Sequence, residues 1–246
     1  MTVTKRKNVD YLDGSVDETF LQTHEVDDFK KLDDDETRFW TDVLWLAEEF
    51  KSEIDVSRKT VLWHHLLLAV GNFKRQGGTK IFPTGIADLP QEVQSGDCKE
   101  IVIPGGFPKA ADGVLGIDSP QTWKDLETIR GLGVATTTTV LSALWPGQHF
   151  VLDVRALRAA TALASIRASC LALDLDAAIV VDVNWRSYIW YRDVVLSTGR
   201  CLNIDGTDIE RALYNVDRKI AKESSKIDAM TWMEYIACLK KMLPDA

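Results

Sequence analysis

Residues 119–158, with the sequence SPQTWKDLETIRGLGVATTTTVLSALWPGQHFVLDVRALR, carry the most specific pattern in the chain. A predicted helix begins at Ser119 and ends at a Gly-Leu-Gly turn over 131–133, and a second predicted helix stops before Pro146. Asp153 then stands at the N-cap of a third predicted helix. Because the first backbone N–H groups of a helix have no partner within it, a glycine turn that leads into a helix can bind an anion. The pattern therefore predicts an anion site followed, at a fixed distance, by a carboxylate.

Both features also have a purely structural explanation. Glycines after a helix commonly terminate it. An Asp before an apolar periodic run is a good N-cap, which stabilises a helix by about 1 kcal/mol. Capping does not exclude catalysis, since a capping carboxylate stays ionised and fixed in place. Arg155 and Arg158 follow on the same helix, where a solvated helix face and a phosphate contact are both open interpretations.

The rest of the chain is predicted to be mainly helical. One helix over 36–50 places an apolar stripe on one face, made of Phe39, Val43, Leu46, Ala47 and Phe50. A second helix over 57–71 is nearly all apolar and is predicted to be buried. The motif TDIE at 207–210 predicts a capping box that opens another helix, and a last amphipathic helix ends near Lys241.

Residues 1–35 are interpreted as an acidic, loosely ordered segment. Residues 36–246 are interpreted as a single two-lobed helical domain. Within that domain, residues 76–118 are rich in Gly and Pro. They predict a long loop with one or two short strands, around 100–103.

The net charge of −8 does not exclude a nucleic-acid partner, because the negative charge is concentrated in one segment. Residues 9–49 hold 14 acidic and 3 basic residues, a net of −11, and the rest of the chain has a net of +3. We interpret the acidic block as a solvated extension, with a regulatory or DNA-mimicking role as the alternative. The global charge therefore says little about the surface around the glycine turn.

The compartment is predicted from the cysteines and from hydropathy. The four cysteines are far apart in sequence, without the spacing of a zinc site or of a disulfide framework, and they predict reduced thiols in a cytoplasmic protein. No run of about 18 apolar residues predicts a membrane span. The beginning of the sequence, basic and then acidic, does not predict a secretory signal.

The run IRGLGVAT at 129–136 and the run FVLDVR at 150–155 together resemble the helix-hairpin-helix signature of base-excision DNA glycosylases, in the branch of the 8-oxoguanine glycosylases. The match covers the 40 residues of 119–158 closely, and the aromatic stretch at 185–214 agrees more loosely. The resemblance implies a mostly α, two-lobed helix-hairpin-helix fold with the Gly/Pro-rich segment as an insertion. It also implies double-stranded DNA with a damaged or modified base as the partner, and we expect a monomer.

Residue roles follow from the resemblance. Asp153 matches the aspartate that assists cleavage of the N-glycosidic bond of a flipped nucleotide. The hairpin backbone of that superfamily holds a DNA phosphate, often with a bound monovalent cation, and no other cofactor or metal is expected. The implied DNA contacts are Gly131, Leu132, Gly133, Val134, Ala135, Thr136 and Arg155.

The chemistry of base removal narrows the mechanism. Departure of a base leaves an oxocarbenium-like sugar, and a fixed carboxylate can stabilise that charge or orient water against it. Bifunctional members of the superfamily have a lysine two residues after the second hairpin glycine, where this chain has Ala135. Hydrolysis by water is therefore expected, without lyase activity. Because a duplex base must leave the stack and be received by aromatic rings, Trp185, Tyr188 and Tyr191 are candidate pocket residues.

Two questions stay open at the level of sequence. The same hairpin can serve a non-enzymatic DNA-binding module, with Asp153 only as a helix cap. If the protein is an enzyme, the branch that it resembles implies an oxidised purine as the substrate, in repair. A hypermodified base in invading DNA is the alternative, because the Gly/Pro-rich insertion can reshape the pocket.

The absence of a lysine at position 135 gives a first prediction. On a duplex from which the protein excises a base, borohydride should trap no covalent protein–DNA adduct, and strands should break only after alkali or heat. The reason is that water leaves a free abasic sugar, with no imine to drive elimination. A denaturing protein gel detects the covalent adduct, and a denaturing DNA gel of both strands detects strand breakage. An adduct that disappears in Lys124→Ala would show that the alignment of this helix pair is wrong.

Overall fold

A computed structural model describes residues 19–75, 134–168, 173–224 and 227–243. In these ranges the chain is mostly helical, with α1 (Thr23–Phe29), α2 (Asp34–Ser52), α3 (Val56–Arg75), α4 (Val134–Leu144), α5 (Val154–Leu163), α6 (Trp185–Leu202), α7 (Gly206–Glu223) and α8 (Trp232–Met242). A π-helical turn (Ala164–Ala168) continues α5, and a 3-10 turn (Ile227–Ala229) precedes α8. The chain divides into two compact units. The α2–α4 unit comprises Leu32–Val151, and the Asp153 unit comprises the residues up to Lys31 and those from Leu152 onward.

The α2–α4 unit is formed by three helices that pack through their apolar faces. The predicted stripe of α2 is buried at all five positions, which confirms its assignment to the core. Buried residues of α3 and α4 complete this core, namely Trp63, Leu66, Leu67, Ala69, Val70, Val140, Leu141, Ala143 and Leu144. The helices predicted over 36–50 and 57–71 are confirmed, and both run a few residues longer than predicted.

The Asp153 unit is centred on α5, which packs against α6, α7 and α8. The buried residues of α5 include many alanines, so neighbouring helices can approach its backbone closely. They are Ala156, Leu157, Ala159, Ala160, Ala162 and Leu163. The start of α5 at Val154, with Asp153 as its N-cap, confirms the prediction for this helix.

A buried polar network joins three helices of the Asp153 unit. Arg158 on α5 donates from Nε to Oδ1 of Asp217 on α7 at 2.7 Å and from Nη2 to Oδ2 at 3.0 Å. The Tyr235 hydroxyl on α8 donates to the same Oδ1 at 2.8 Å. Burial and the Asp217 charge raise the pKa of Tyr235 well above its ordinary value. Arg158 is therefore a buried structural residue, and neither the solvated face nor the phosphate contact considered for it is correct.

The segment before α2 is more ordered than predicted. The Glu25 carboxylate on α1 accepts from both terminal nitrogens of Arg167, at 2.6 and 2.8 Å, and Arg167 also donates to the Phe20 carbonyl at 2.7 Å. Phe20, Leu21 and Val26 are buried. The expectation of a loosely ordered segment over 1–35 is thus wrong for residues 19–35, because apolar burial and one ion pair fix α1 to the Asp153 unit. Residues 1–18 lie outside the described part of the chain.

The junction of α6 and α7 also differs from the prediction. Asn203 ends α6 with φ of 55°, and α7 begins at Gly206 with Asp205 as N-cap, whose carboxylate accepts from the Thr207 N–H at 2.7 Å. The predicted capping box of Thr207 with Glu210 does not form, since Asp205 caps the helix two residues earlier. Glu210 is instead a buried residue of α7.

The end of the chain agrees with its prediction. Thr231 caps α8 in a capping box with Glu234, and the helix ends at Met242. None of the helices in the described ranges is long and apolar enough to cross a membrane. Cys201 and Cys238 are free thiols. The predicted helix from Ser119 and the Gly/Pro-rich segment over 76–118 lie outside the described residues.

The Arg158–Asp217–Tyr235 network gives a prediction of stability. Asp217→Asn should lower the free energy of unfolding by on the order of 3 kcal/mol or more, because it leaves the Arg158 charge buried without its carboxylate. Urea unfolding measures this. The control is the triple variant Arg158→Met, Asp217→Leu, Tyr235→Phe, which removes the whole network. It should be less destabilised than Asp217→Asn, because no buried charge is left without a partner. A single variant as stable as the wild type would show that the network does not contribute.

The Glu25–Arg167 pair gives a pH-dependent prediction. Burial alone would raise the pKa of Glu25, but hydrogen bonds from Arg167 and from the Gln22 N–H, with the charges of Arg167 and His24, outweigh it and lower this pKa below its ordinary value of 4.5. The pair thus stabilises the fold above that value, and its contribution is lost as the pH falls through the lowered pKa.

We therefore expect Glu25→Gln to be less stable than the wild type by about 2 kcal/mol at neutral pH. The difference should shrink as the pH falls below 4.5. Glu234→Gln is the matched control, since Glu234 occupies the same capping-box position in α8 but is exposed. If both variants lose the same stability at every pH, capping rather than the ion pair explains the effect.

Candidate functional site

The carboxylate of Asp153 is held at the start of α5. Its Oδ1 accepts from the Arg155 N–H at 2.9 Å, and the residue is half-buried. Within the described part of the chain, its Oδ2 has no hydrogen-bond partner. The α5 N-terminus also favours a negative charge at this place. The Asp153 carboxylate therefore has one oxygen that caps α5 and one oxygen that is available to bind another group.

Arg155 is positioned by a residue far away in sequence. Its Nη1 donates to the Tyr214 hydroxyl on α7 at 2.8 Å, and its guanidinium carbon lies 5.5 Å from the centroid of the Tyr214 ring. Arg155 is half-buried, and a guanidinium has five N–H donors. The contact with Tyr214 fixes the side chain and leaves donors that can bind a phosphate, the role predicted for it.

A buried phenol interacts electrostatically with the same carboxylate. Tyr191 on α6 is fully buried, and its hydroxyl has no hydrogen-bond partner among the described residues. Burial raises the pKa of Tyr191 well above its ordinary value, and the charges of Glu210, Asp153 and Tyr188 add to this shift. The phenol therefore stays protonated, and its hydroxyl is a hydrogen-bond donor without an acceptor among the described residues.

The three predicted pocket residues differ in burial. Tyr188 and Tyr191 are fully buried, so neither ring offers a face to solvent. Trp185 is half-buried at the first turn of α6, with its ring centroid 6.0 Å from that of Tyr188. The two tyrosines are therefore core residues, and Trp185 is the one of the three that is partly exposed.

The predicted hairpin residues fall in the α2–α4 unit. α4 begins at Val134, which follows Gly133 in the sequence, and Val134 and Ala135 are half-buried. The Thr136 side chain is buried, so a phosphate contact here would come from its backbone N–H. The hydroxyls of Thr138 and Thr139 donate to carbonyls of their own helix at 2.7–3.2 Å.

Gly131, Leu132 and Gly133 lie outside the described residues, and with them the predicted hairpin cation. Among the residues that the structure does describe, no group of three or more His, Cys, Asp or Glu side chains could hold a metal ion.

Sequence reasoning missed Glu210 and Tyr214. Both lie on α7, four residues apart and therefore on one face of the helix. Glu210 was assigned to a capping box, and Tyr214 is 59 positions from Arg155. A carboxylate and a phenol at this spacing are the signal that could have directed attention to this face.

Comparisons with protein-family models, with curated proteins and with solved structures gave no match to this chain.

Proposed function

We propose that the protein is a monofunctional DNA glycosylase that flips a damaged or modified base out of the duplex and hydrolyses its N-glycosidic bond. The resemblance of residues 119–158 to the helix-hairpin-helix signature is the reason to consider this class. The proposal assigns the protein the two-lobed helix-hairpin-helix fold of that class. The helical character of the described residues and the division into two compact units are compatible with it.

The observation that carries the proposal is the state of the Asp153 carboxylate. A residue that served only as a cap needs one oxygen on a backbone N–H, and Asp153 uses Oδ1 for this at 2.9 Å. Its Oδ2 remains available, in a half-buried place where electrostatic interactions are stronger than in water. This arrangement suits the stabilisation of a sugar cation, because the anion is already oriented and needs little reorganisation as the charge develops.

Arg155 supports a DNA partner. Since the Tyr214 hydroxyl holds its guanidinium, binding of a phosphate next to the reacting nucleotide would cost less side-chain entropy than binding by a free arginine. Such contacts position a duplex without reading its sequence. Ala135 in the position of the family's lysine favours water as the nucleophile and an abasic site as the product.

A test that does not require knowledge of the base uses two synthetic duplexes. One contains a pyrrolidine abasic analogue, which carries a positive charge where the sugar cation forms, and the other contains a neutral tetrahydrofuran analogue. We expect the wild type to bind the pyrrolidine duplex about tenfold more tightly or better, a difference of about 1.4 kcal/mol. Asp153→Asn should lose this preference and keep its affinity for the neutral duplex, because Asn is an equally good N-cap.

The matched control is Asp33→Asn, which makes the same change at the N-cap of α2. This variant should keep the preference for the cationic analogue. Equal affinity of the wild type for both duplexes would leave the non-enzymatic DNA-binding module, with Asp153 as a cap only. Failure to bind either duplex would remove DNA as the partner.

The same variants identify the substrate and test activity. The protein is incubated with duplexes that carry 8-oxoguanine, 5-hydroxymethylcytosine or glucosylated 5-hydroxymethylcytosine, and abasic sites are revealed with alkali. On the duplex that reacts, Asp153→Asn should reduce the excision rate by about 100-fold or more. Asp33→Asn should excise at the wild-type rate. Reaction of the oxidised purine would indicate repair, and reaction of the glucosylated base would indicate removal of hypermodified DNA.

A further inference from the structure

The Tyr191 hydroxyl is a buried polar group of the Asp153 unit that core packing does not explain. It is fully buried and has no hydrogen-bond partner among the described residues. A buried hydroxyl without a partner is destabilising, and a phenylalanine would fill nearly the same volume. The fully buried Tyr235 of α8 shows the usual solution, since its hydroxyl donates to Asp217 at 2.8 Å. The Tyr191 hydroxyl is therefore explained better by a ligand than by packing.

The charges of Glu210 and Asp153 act on this phenol from two neighbouring helices. Tyr191 lies on α6, Glu210 on α7 and Asp153 at the start of α5, and these helices pack against one another. Glu210 is one helical turn from Tyr214, whose hydroxyl accepts from Arg155 Nη1 at 2.8 Å. The Arg155 N–H in turn donates to Oδ1 of Asp153, the N-cap of α5. This chain of contacts places the buried Glu210 on the face of α7 that meets the start of α5.

We propose that the Tyr191 hydroxyl and the Glu210 carboxylate bind a water molecule next to Oδ2 of Asp153, and that this water is the nucleophile of the excision reaction. The inference depends on the proposed function for the role of the water but not for its binding. A buried water needs two to four polar partners, about three on average. The phenol supplies a donor, and the two carboxylates supply acceptors. Tyr191 and Glu210 are thus positioning residues, while Asp153 acts on the reacting atoms.

The excision reaction adds one water molecule across the C1′–N bond. The C1′–N bond breaks, and its electron pair leaves with the base. The water oxygen forms the new C1′–O bond with a lone pair and loses one proton to Oδ2 of Asp153. That proton passes to the departed base, so the products are a neutral base, an abasic sugar and the original carboxylate. A water held by fixed partners next to Asp153 can be oriented before the sugar cation forms.

The decisive variant is Tyr191→Phe. Among the described residues the hydroxyl has no protein hydrogen-bond partner to lose, so the melting temperature of this variant should stay close to that of the wild type. A crystal structure of the wild type should show an ordered water within hydrogen-bond distance of the Tyr191 hydroxyl and of the Asp153 or Glu210 carboxylate. In Tyr191→Phe that water should be absent. A wild-type crystal structure without this water would overturn the proposal, whatever the activity of the protein.

Single-turnover excision tests the role of the water. With the reacting duplex of the base panel, Tyr191→Phe and Glu210→Gln should slow excision about tenfold or more. Their affinity for the pyrrolidine duplex should be unchanged, which a merely structural defect would not produce. In water–methanol mixtures the fraction of methyl glycoside product should rise in Tyr191→Phe, since water no longer has a held position.

Tyr235→Phe is the matched control and should give the opposite result. It removes a hydroxyl that does have a partner, so its melting temperature should fall, while its excision rate well below that temperature should equal that of the wild type. If the wild type excises a base and Tyr191→Phe excises it at the same rate, the positioning role is wrong and the proposed function stands. If the wild type excises none of the bases and does not distinguish the two abasic analogues, the proposed function is wrong, and the crystal structure still decides whether the water site exists.

Discussion

The Asp153 unit depends on the burial of one carboxylate. Asp217 is fully buried on α7, and an ionised carboxylate removed from water is stable only with a cation and hydrogen-bond donors. Arg158 supplies two parallel donors, and Tyr235 supplies a third from α8. Since each partner comes from a different helix, the geometry of this network fixes α5, α7 and α8 against one another. Apolar packing alone would tolerate more sliding, because the buried face of α5 is largely alanine.

The position of Asp153 follows from that constraint. Arg158 and Asp153 are five residues apart at the beginning of the same helix. A helix whose first turns are fixed by a bidentate ion pair presents its N-cap residue at a defined place. The cap itself then orients the carboxylate through the Arg155 N–H, and Tyr214 orients the Arg155 side chain. The structural roles and the proposed functional role therefore fall within a few consecutive residues at the start of α5.

Helix caps of the same kind differ in their surroundings. Asp33 and Asp205 also cap helices through their carboxylates, but both are exposed. Asp153 is half-buried, and its charge acts on the fully buried phenol of Tyr191. Capping chemistry is common to all three residues, and so it cannot by itself distinguish a functional aspartate. The partial burial of Asp153 is what supports its proposed role, because burial changes what the second carboxylate oxygen can bind.

The sequence determined the local structure well. Apolar periodicity located α2 and α3, the stripe of α2 is buried at each predicted position, and Asp153 is the N-cap that its context indicated. These features depend on residues within one or two helical turns, so they can be inferred from spacing alone. The resemblance to a glycosylase signature also comes from a short, contiguous stretch, and the function inferred from it stays a prediction.

Only the tertiary structure decided the partners of the polar residues. Arg158 was expected at the surface or on a phosphate, yet it is buried against Asp217, 59 positions away. Glu25 was placed in a loose segment, yet it binds Arg167 and fixes α1. Glu210 was assigned to a cap, yet it is buried on the face of α7 that meets α5. The physical reason is the same in each case. A charged residue has the same local pattern on a solvated face and in a buried pair, and the energy that distinguishes the two comes from a partner distant in sequence.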